Sequence, residues 1–361
     1  MSIHVTRSLV PPLADLIDRL KPAFDAARFT NDGPLVRELE EAVRQRLATP
    51  HGVAVANGTL AIQLACKALG LAGEIVTTPL SFVATSSSID WMGLEPVFAD
   101  VDPATLMLDP ERCREKIGER TAAILATHLY GFPCDVDGLA AVAREHGIPL
   151  IYDASHAFGC EYRGRPLASY GDAATLSFHA TKVFHTGEGG FVCARDAAVA
   201  ERCRVQRNFG FDGIDSFQVT GINAKLSELH AALGLCVLPL FDEALAARRK
   251  RFEAYGEALA GVSDRLRLPR VPAELDYNYG YYPVVFPDEP SLLDAWRRLV
   301  EKDVFARRYF HPSLSRLPYL AGHATPEADA LAPRILCLPL YDTLGLPDVE
   351  RIAAVVVETL C

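Results

Sequence analysis

Short apolar runs alternate with helical patterns from about residue 52 onward. The runs cover residues 52–56, 74–78, 95–99, 122–127, 148–152, 173–178 and 190–194. Between them, segments 59–69, 83–91 and 136–146 carry apolar residues at three- and four-residue spacing, as amphipathic helices do. Strands that alternate with helices predict an α/β fold with a mainly parallel sheet between helices.

The pattern changes in the last third of the chain. Helical stretches at 226–235 and 238–254 are followed by a proline-rich, extended stretch at 265–272. A strand at 281–286, a helix at 291–302 and a closing helix at 347–360 come next. We therefore predict a large domain over residues 1–240, which includes the N-terminal segment, and a smaller α+β domain over residues 241–361.

Composition and charge exclude several classes of protein. Of the 361 residues, 50% are hydrophobic and 23% are charged, which is enough apolar material for two cores. The formal charge is −10 without a long block of Lys or Arg, so nucleic-acid binding is disfavoured. The chain starts without an apolar leader stretch and has no uncharged segment long enough to span a membrane, so we expect a soluble, cytoplasmic protein.

The cysteines indicate neither disulfides nor a metal site. There are nine of them, scattered along the chain and never spaced as Cys-x-x-Cys. We expect reduced thiols and no bound metal.

Polar residues cluster where the predicted strands end. These residues are found at 57–59, at 79–82, at His128, at Asp153 and at 177–182. Open parallel sheets bind ligands at the carboxyl ends of their strands. The sequence therefore predicts a ligand site at this edge.

Lys182 and Asp153 suggest the chemistry of that site. Asp153 ends an apolar strand, and Lys182 follows 29 residues later in a small polar loop. Such a pair suits a pyridoxal 5'-phosphate (PLP) enzyme, in which the amine forms a Schiff base and the carboxylate keeps the ring nitrogen protonated. Taken one at a time, each residue has an ordinary explanation, since most lysines are solvated and many strand-end aspartates cap turns. The apolar neighbours Phe178 and Phe184 favour a desolvated amine that loses its proton readily.

Other residues at this edge could hold the rest of the cofactor. Gly58 and Thr59 stand between a strand and a helix, where free N–H groups favour a phosphate, and Ser177 could add a hydroxyl. Phe82 could stack on the ring or pack in the core. His156 could hydrogen-bond the phenolic oxygen of the cofactor, contact Asp153, or serve a structural role.

Five segments in consistent order resemble successive motifs of one family. They are residues 57–59, 77–85, 153–159, 177–182 and 221–228. They are similar to motifs of the DegT/DnrJ/EryC1/StrS family, the sugar aminotransferases with the aspartate-aminotransferase fold (PLP fold type I). The similarity extends from residues 30–34 to about Pro312.

The resemblance implies a role for each matching residue. Lys182 would be the Schiff-base lysine and proton shuttle, Asp153 the partner of the ring nitrogen, and Phe82 the stacking ring. His156 would lie near the phenolic oxygen. Gly58, Thr59 and Ser177 would bind the phosphate. The resemblance also implies a homodimer with shared active sites, in which Asn223 would bind the phosphate of the neighbouring subunit.

The resemblance also implies the substrates. Members of the family usually transfer an amino group from L-glutamate to a nucleotide-linked keto sugar, giving the amino sugar and 2-oxoglutarate. Residues 305–312 resemble the segment of members that aminate a 4-keto-6-deoxy sugar, which suggests a dTDP-4-keto-6-deoxyhexose and makes Arg308 and Tyr309 candidate substrate-binding residues. The alternative for this segment is a surface helix end with solvated arginines.

Two other functions stay within the same fold. Some relatives are PLP-dependent sugar dehydratases, but these carry histidine where this chain has Lys182. A non-catalytic regulator that binds a nucleotide-sugar is the other alternative. Retention of Lys182 favours amino transfer over both, because binding alone does not require the lysine.

Overall fold

The computed structural model describes residues 2–320 and 322–360. Cys361, which is among the predicted free thiols, lies outside them. The helices are α1 Leu13–Asp25, α2 Pro34–Arg46, α3 Gly58–Ala68, α4 Ala84–Trp91, α5 Pro110–Lys116, α6 Val136–His146, α7 Ala197–Gln206, α8 Glu228–Val237, α9 Phe241–Ala258, α10 Glu289–Glu301, α11 Pro326–Leu331 and α12 Leu346–Leu360. The strands are β1 Ile3–His4, β2 His51–Val55, β3 Glu74–Thr77, β4 Glu95–Phe98, β5 Thr121–Thr127, β6 Leu150–Asp153, β7 Glu161–Tyr162, β8 Arg165–Pro166, β9 Ala173–Ser177, β10 Gly190–Ala194, β11 Leu275–Asp276, β12 Tyr282–Val285, β13 Val304–Phe305 and β14 Ile335–Leu338.

The central sheet contains all seven predicted apolar runs. Its strand order is β2-β10-β9-β6-β5-β3-β4. Only β10 runs antiparallel to its neighbours within this sheet, and the remaining pairs are parallel. The predicted α/β architecture with a mainly parallel sheet is confirmed.

Helices cover both faces of this sheet, which explains why its strands are predominantly apolar. On one face, Val53, Leu125 and Ile151 belong to the clusters formed with α3, α4 and α7. On the other face, Ile124 and Tyr152 join the largest cluster, with α2, α6 and α8. Successive residues of a strand point to opposite faces, so each face receives apolar side chains from the same run.

Side-chain caps fix where the helices beside the site begin. The Asn57 side chain accepts a hydrogen bond from the N–H of Leu60 at 2.9 Å, which starts α3 directly after β2. The Asp135 side chain accepts one from Gly138 at 2.9 Å and starts α6. The φ of +65° at Gly147 ends α6, a conformation that glycine adopts without strain.

The C-terminal part of the chain contains a small antiparallel pair, β12 and β14, and three packed helices. Helix α9 begins at Phe241 and contacts α12, which also contacts α10. Strand β1 pairs in parallel with β13, so the first described residues join this part rather than the central sheet. The domain boundary at 240/241 stays a prediction.

One helical stretch is apolar and long enough to pass as a membrane span. It covers Glu228–Ala258, which includes α8 and α9. Within the structure α8 packs on α1 and α2, and α9 packs on α12. The eight cysteines among the described residues are free thiols, and these residues form no cluster of three or more potential metal ligands.

Candidate active site

The predicted site residues meet at the carboxyl edge of the central sheet. Asp153 is the last residue of β6, and Ser177 is the last residue of β9. Gly58 opens α3 just beyond β2, and Lys182 lies in the loop between β9 and β10. Neighbouring strands therefore bring together residues that are far apart in sequence.

Backbone hydrogen bonds hold the Lys182 loop in a fixed shape. The N–H groups of Phe178 and Ala180 donate to the carbonyls of Gly189 and Gly187, both at 2.8 Å. The N–H of Lys182 donates to the carbonyl of His179 at 2.9 Å, which closes a turn at the lysine. Phe184 is fully buried and anchors the far side of this turn in the core. The backbone from which the Lys182 side chain extends is therefore held in place.

The Lys182 amine lies in a desolvated environment. Its Nζ donates to the hydroxyl of Tyr281 at 3.2 Å. Burial lowers the pKa of the Lys182 ammonium to about 8, and the negative charge of Asp153 partly opposes that shift. A sizeable neutral fraction near neutral pH makes this amine a competent nucleophile and base.

The Asp153 carboxylate is buried and held from two sides. Its Oδ1 accepts from the N–H of Ser155 at 3.0 Å. Its Oδ2 accepts from the hydroxyl of Thr85 at 2.9 Å. Both oxygens keep further lone pairs for a cationic partner.

His156 presents one buried donor that has no partner among the described residues. Its Nδ1 accepts from the N–H of Tyr130 at 3.1 Å, so the neutral ring carries its proton on Nε2. That Nε2 is buried and unpaired within residues 2–320 and 322–360. Burial, reinforced by the charge of Lys182, lowers the pKa of His156 well below its usual value. The ring is therefore neutral, and its Nε2–H is a donor without a partner among these residues.

Gly58 and Ser177 lie against each other at the start of α3. A Cβ added at Gly58 would lie 2.8 Å from the Cβ of Ser177. Position 58 thus requires glycine, whose bare backbone permits close approach of a ligand. Thr59 is exposed beside it and Ser177 is half-buried, so two hydroxyls surround the positive end of the helix.

Phe82 and Asn223 are both exposed. The Phe82 ring is 53% exposed, although it precedes a buried helix, and its centroid lies 5.9 Å from that of Phe310. Asn223 is exposed, and its neighbour Ala224 accepts from the N–H of Ala56 at 2.9 Å. The segment with Asn223 is therefore fixed beside the end of β2.

Arg308 and Tyr309, the predicted substrate residues, have different surroundings. The guanidinium of Arg308 pairs with Glu289 of α10 at 2.5 Å and donates to the carbonyl of Pro333 at 2.9 Å. Its charge is therefore already neutralised. The Tyr309 ring lies 6.2 Å from that of Tyr281, whose hydroxyl contacts Lys182, so Tyr309 borders the site through Tyr281.

Comparison with known proteins identifies the family. The model of the DegT/DnrJ/EryC1/StrS aminotransferase family matches residues 14–357, nearly the whole chain. The chain belongs to this family. It is therefore a PLP-dependent aminotransferase of fold type I, as the sequence motifs predicted.

Relatives of this aminotransferase are similar over almost their full length. A dTDP-4-amino-4,6-dideoxy-D-glucose transaminase from Shigella dysenteriae is 36% identical, over 99% of this chain and 98% of the relative. The crystal structure of DesI in the presence of its TDP-sugar product superposes with a TM-score of 0.94 at 39% identity, over 99% of this chain and 93% of that one. A pleiotropic regulatory protein from Geobacillus stearothermophilus is 34% identical, over 92% of this chain and 93% of the relative.

The residues of this DegT/DnrJ/EryC1/StrS aminotransferase fit PLP. The unpaired Nε2–H of His156 suits an anionic phenolic oxygen. The tight Gly58–Ser177 contact at a helix start suits a phosphate. The exposed face of Phe82 suits a stacked ring, and the neutral fraction of Lys182 suits an aldehyde.

Sequence reasoning missed four residues that shape the site. Tyr281 contacts the lysine amine, Phe310 lies parallel to His156 with centroids 5.6 Å apart, and Tyr130 fixes the His156 tautomer. Thr85 bonds Asp153. For Thr85 a signal existed, because it opens a run of four hydroxyl residues, 85–88, in which Thr85, Ser86 and Ser88 are buried. Phe310 lies in the segment 305–312 noted above, whereas Tyr281 and Tyr130 carry no comparable signal in the sequence.

Proposed function

We propose that this enzyme transfers an amino group from L-glutamate to a nucleotide-linked keto sugar, and that the sugar is a dTDP-4-keto-6-deoxyhexose. The observation that carries the proposal is the placement of the Lys182 amine, held by the Tyr281 hydroxyl at 3.2 Å, at the same sheet edge as the buried Asp153 carboxylate that ends β6. The Shigella dysenteriae transaminase and DesI support the nucleotide-sugar class, because both names specify thymidine-diphosphate sugars.

Each catalytic residue has a defined role in this proposal. PLP, when bound, accepts the amino group and delocalises the electron pair left at the reacting carbon. Lys182 would hold the cofactor through Nζ, and its free amine would move a proton between the reacting carbons. Asp153 would keep the ring nitrogen cationic by charge pairing. The buried, unpaired Nε2 of His156 would donate to the phenolic oxygen.

The remaining predicted residues bind and orient. Phe82 would stack on the cofactor ring, and Gly58, Thr59 and Ser177 would bind its phosphate. Asn223 would reach the phosphate site of the neighbouring subunit in a cytoplasmic homodimer. Tyr309 would contact the sugar substrate. Arg308 would reach a diphosphate only after it gives up its ion pair with Glu289.

Replacing the lysine tests the assignment. Lys182→Arg keeps the charge but removes the nucleophile, so we expect loss of both turnover and the visible absorbance of covalently bound cofactor. Tyr281→Phe is a matched control, because it removes the contact to Nζ and keeps the lysine. A Lys182→Arg enzyme with full activity contradicts the proposal.

A spectrum distinguishes catalysis from regulation, the alternative favoured by similarity to the Geobacillus stearothermophilus regulatory protein. Adding glutamate to the holoenzyme should bleach the visible band, since the donor displaces Lys182 from the cofactor. An unresponsive band supports regulation. Incubation with glutamate and a panel of dTDP-, UDP- and GDP-linked 4-keto and 3-keto sugars then identifies the acceptor from 2-oxoglutarate release.

A further inference from the structure

Three buried hydroxyl groups lead in a line to the Asp153 carboxylate. The Thr127 hydroxyl donates to that of Ser81 at 3.2 Å, and Ser81 and Thr85 share a hydrogen bond of 2.8 Å. Thr85 donates to Oδ2 of Asp153 at 2.9 Å. Thr127, Ser81 and Thr85 are at most 2% exposed. We name these three residues the hydroxyl chain.

The direction of every hydrogen bond in the hydroxyl chain follows from the charge at its end. A carboxylate only accepts, so Thr85 must direct its single proton toward Asp153. Ser81 must then donate to Thr85 and accept from Thr127, as the Thr127 geometry requires. Bonds aligned in one direction in a buried environment strengthen one another.

The fold fixes the members of the hydroxyl chain independently of any ligand. Thr127 ends β5 directly opposite Asp153 at the end of β6. Ser81 lies in the connection after β3, and Thr85 lies in the first turn of α4. The hydroxyl chain therefore ends at one oxygen of Asp153, which Thr85 contacts directly, while the N–H of Ser155 bonds the other.

We infer that Thr85, supported by Ser81 and Thr127, is a positioning residue that orients the Asp153 carboxylate toward the ring nitrogen of PLP. The inference rests on the proposed role of Asp153. Without Thr85, the carboxylate loses its side-chain donor and can rotate about its last bond. The ring nitrogen then spends more time without a charge-paired partner, and its protonated form becomes less favourable.

Thr85→Val tests the inference, because valine keeps the shape and removes the hydroxyl. In holoenzyme with PLP labelled with ¹⁵N in the ring, we expect the ring-nitrogen resonance to move toward the unprotonated position. We also expect pyridoxamine 5'-phosphate, which binds without a covalent link, to bind about tenfold more weakly, as loss of a hydrogen bond to a charged group implies. Thr85→Ser keeps the hydroxyl and should restore both values.

Thr77→Val is the matched control. Thr77 is a fully buried threonine of the adjacent strand β3, and its hydroxyl donates to the carbonyl of Leu125 at 2.8 Å rather than to the hydroxyl chain. Its loss should lower thermal stability without moving the ¹⁵N resonance. If Thr85 has a purely structural role, Thr85→Val should behave like Thr77→Val, with lower thermal stability and an unchanged ¹⁵N resonance.

Asp153→Asn separates this inference from the proposed function. If Thr85→Val leaves the ¹⁵N resonance and the pyridoxamine 5'-phosphate affinity unchanged while Asp153→Asn alters both, the hydroxyl chain has no positioning role and the role of Asp153 stands. If Asp153→Asn also leaves both unchanged, the assignment of Asp153 itself is overturned, and the inference with it. Should Thr85→Val not fold, Thr85→Ala removes the same hydroxyl from Asp153 and gives the same test.

Discussion

At the scale of single residues, Lys182 combines an ordinary side chain with an unusual environment. Its ammonium is desolvated by the core beneath the loop and attracted by Asp153, and desolvation is the larger effect. The amine is consequently more often neutral than that of a surface lysine, which an aldehyde-binding amine requires.

This balance predicts how cofactor binding depends on pH. Only the neutral amine attacks an aldehyde, so the rate at which apoenzyme binds PLP covalently should follow the neutral fraction of Lys182. Because its pKa is lowered to about 8, the rate should rise as the pH approaches 8 and level off above it. Stopped-flow absorbance at a series of pH values measures this profile.

The expected shape has a clear alternative. A lysine with the ordinary pKa of 10.5 would give a rate that still rises well above pH 8. Removing the opposing charge in Asp153→Asn should move the levelling point to lower pH, because the attraction of Asp153 raises the pKa of the amine. A levelling point that moves upward in this variant contradicts the electrostatic explanation.

Residue type decided which site residues the sequence predicted. Lysine and aspartate at a strand edge have few roles that require both, so Lys182 and Asp153 could be proposed together. A threonine hydroxyl has many roles, so Thr85 acquired a role only when the structure placed it at 2.9 Å from the carboxylate. Arg308 shows the opposite case. An arginine at this position suggested a diphosphate partner, but the fold pairs it with Glu289.

At the scale of elements, a single buried carboxylate joins two helices that are far apart in the sequence. Glu228 opens α8 and is fully buried. Its oxygens accept from the N–H groups of Leu35 and Val36, at 3.0 and 2.9 Å, in the first turn of α2. The negative charge lies at the positive end of that helix. Gly33 makes room for it, because a Cβ there would lie 2.3 Å from the Glu228 carboxyl carbon.

Removing this carboxylate should destabilise α2 locally. Glu228→Ala leaves two buried N–H groups unpaired, so we expect the opening free energy of α2 to fall by about 2–4 kcal/mol. Glu228→Gln keeps one acceptor oxygen and should lose less. Amide hydrogen exchange across residues 33–43 measures the effect.

An exposed cap provides the comparison for Glu228. Asp288 accepts from the N–H of Ser291 at 2.8 Å at the start of α10, where water can replace it. Asp288→Ala should cost about 1 kcal/mol and change exchange only in α10. Equal losses in the two alanine variants would show that burial of Glu228 adds nothing.

Hydrophobic pattern predicted elements well where burial was complete. All seven strands of the central sheet were predicted because both faces are covered and most strand positions are apolar. Helices α1 and α2 lay before the region where the alternation was recognised, and the two-residue strands β1 and β13 are too short for any pattern. Pairing between β1 and β13 depends on tertiary contacts over about 300 residues of sequence, which no local pattern contains.

At the scale of the whole molecule, one exposed segment supports the proposed homodimer. Between residues 209 and 222, Ile214 is 95% exposed and Phe217 is 64% exposed. Contiguous exposed apolar side chains of this size are typical of interaction surfaces. The segment leads directly to Asn223, which is the residue proposed to serve the neighbouring subunit.

Hybrid dimers test whether the active sites are shared. We expect dimers of Lys182→Ala alone, or of Asn223→Ala alone, to have little activity. A hybrid with one subunit of each type contains one site with both native residues, so it should regain about half of wild-type activity. Coexpression with two different affinity tags isolates the hybrid for this assay.

The distribution of activity identifies the arrangement. If Asn223 served its own subunit, each site of the hybrid would carry one defect, and activity would stay low. Wild-type subunits carrying the same two tags provide the full-activity reference. A monomer by light scattering at assay concentration would remove the basis of the proposal.

The sequence by itself determined the α/β class and the family, and it led to the proposal of Lys182 and Asp153 as the two residues that define the chemistry. These properties depend on local apolar runs and on residue types whose order along the chain can be read directly. Three features were decided by the tertiary structure alone. They are the protonated nitrogen of His156, the hydrogen bond from Thr85 to Asp153, and the ion pair between Arg308 and Glu289. Each of these depends on distances between residues separated by 19 to 68 positions along the chain, and only packing fixes such distances.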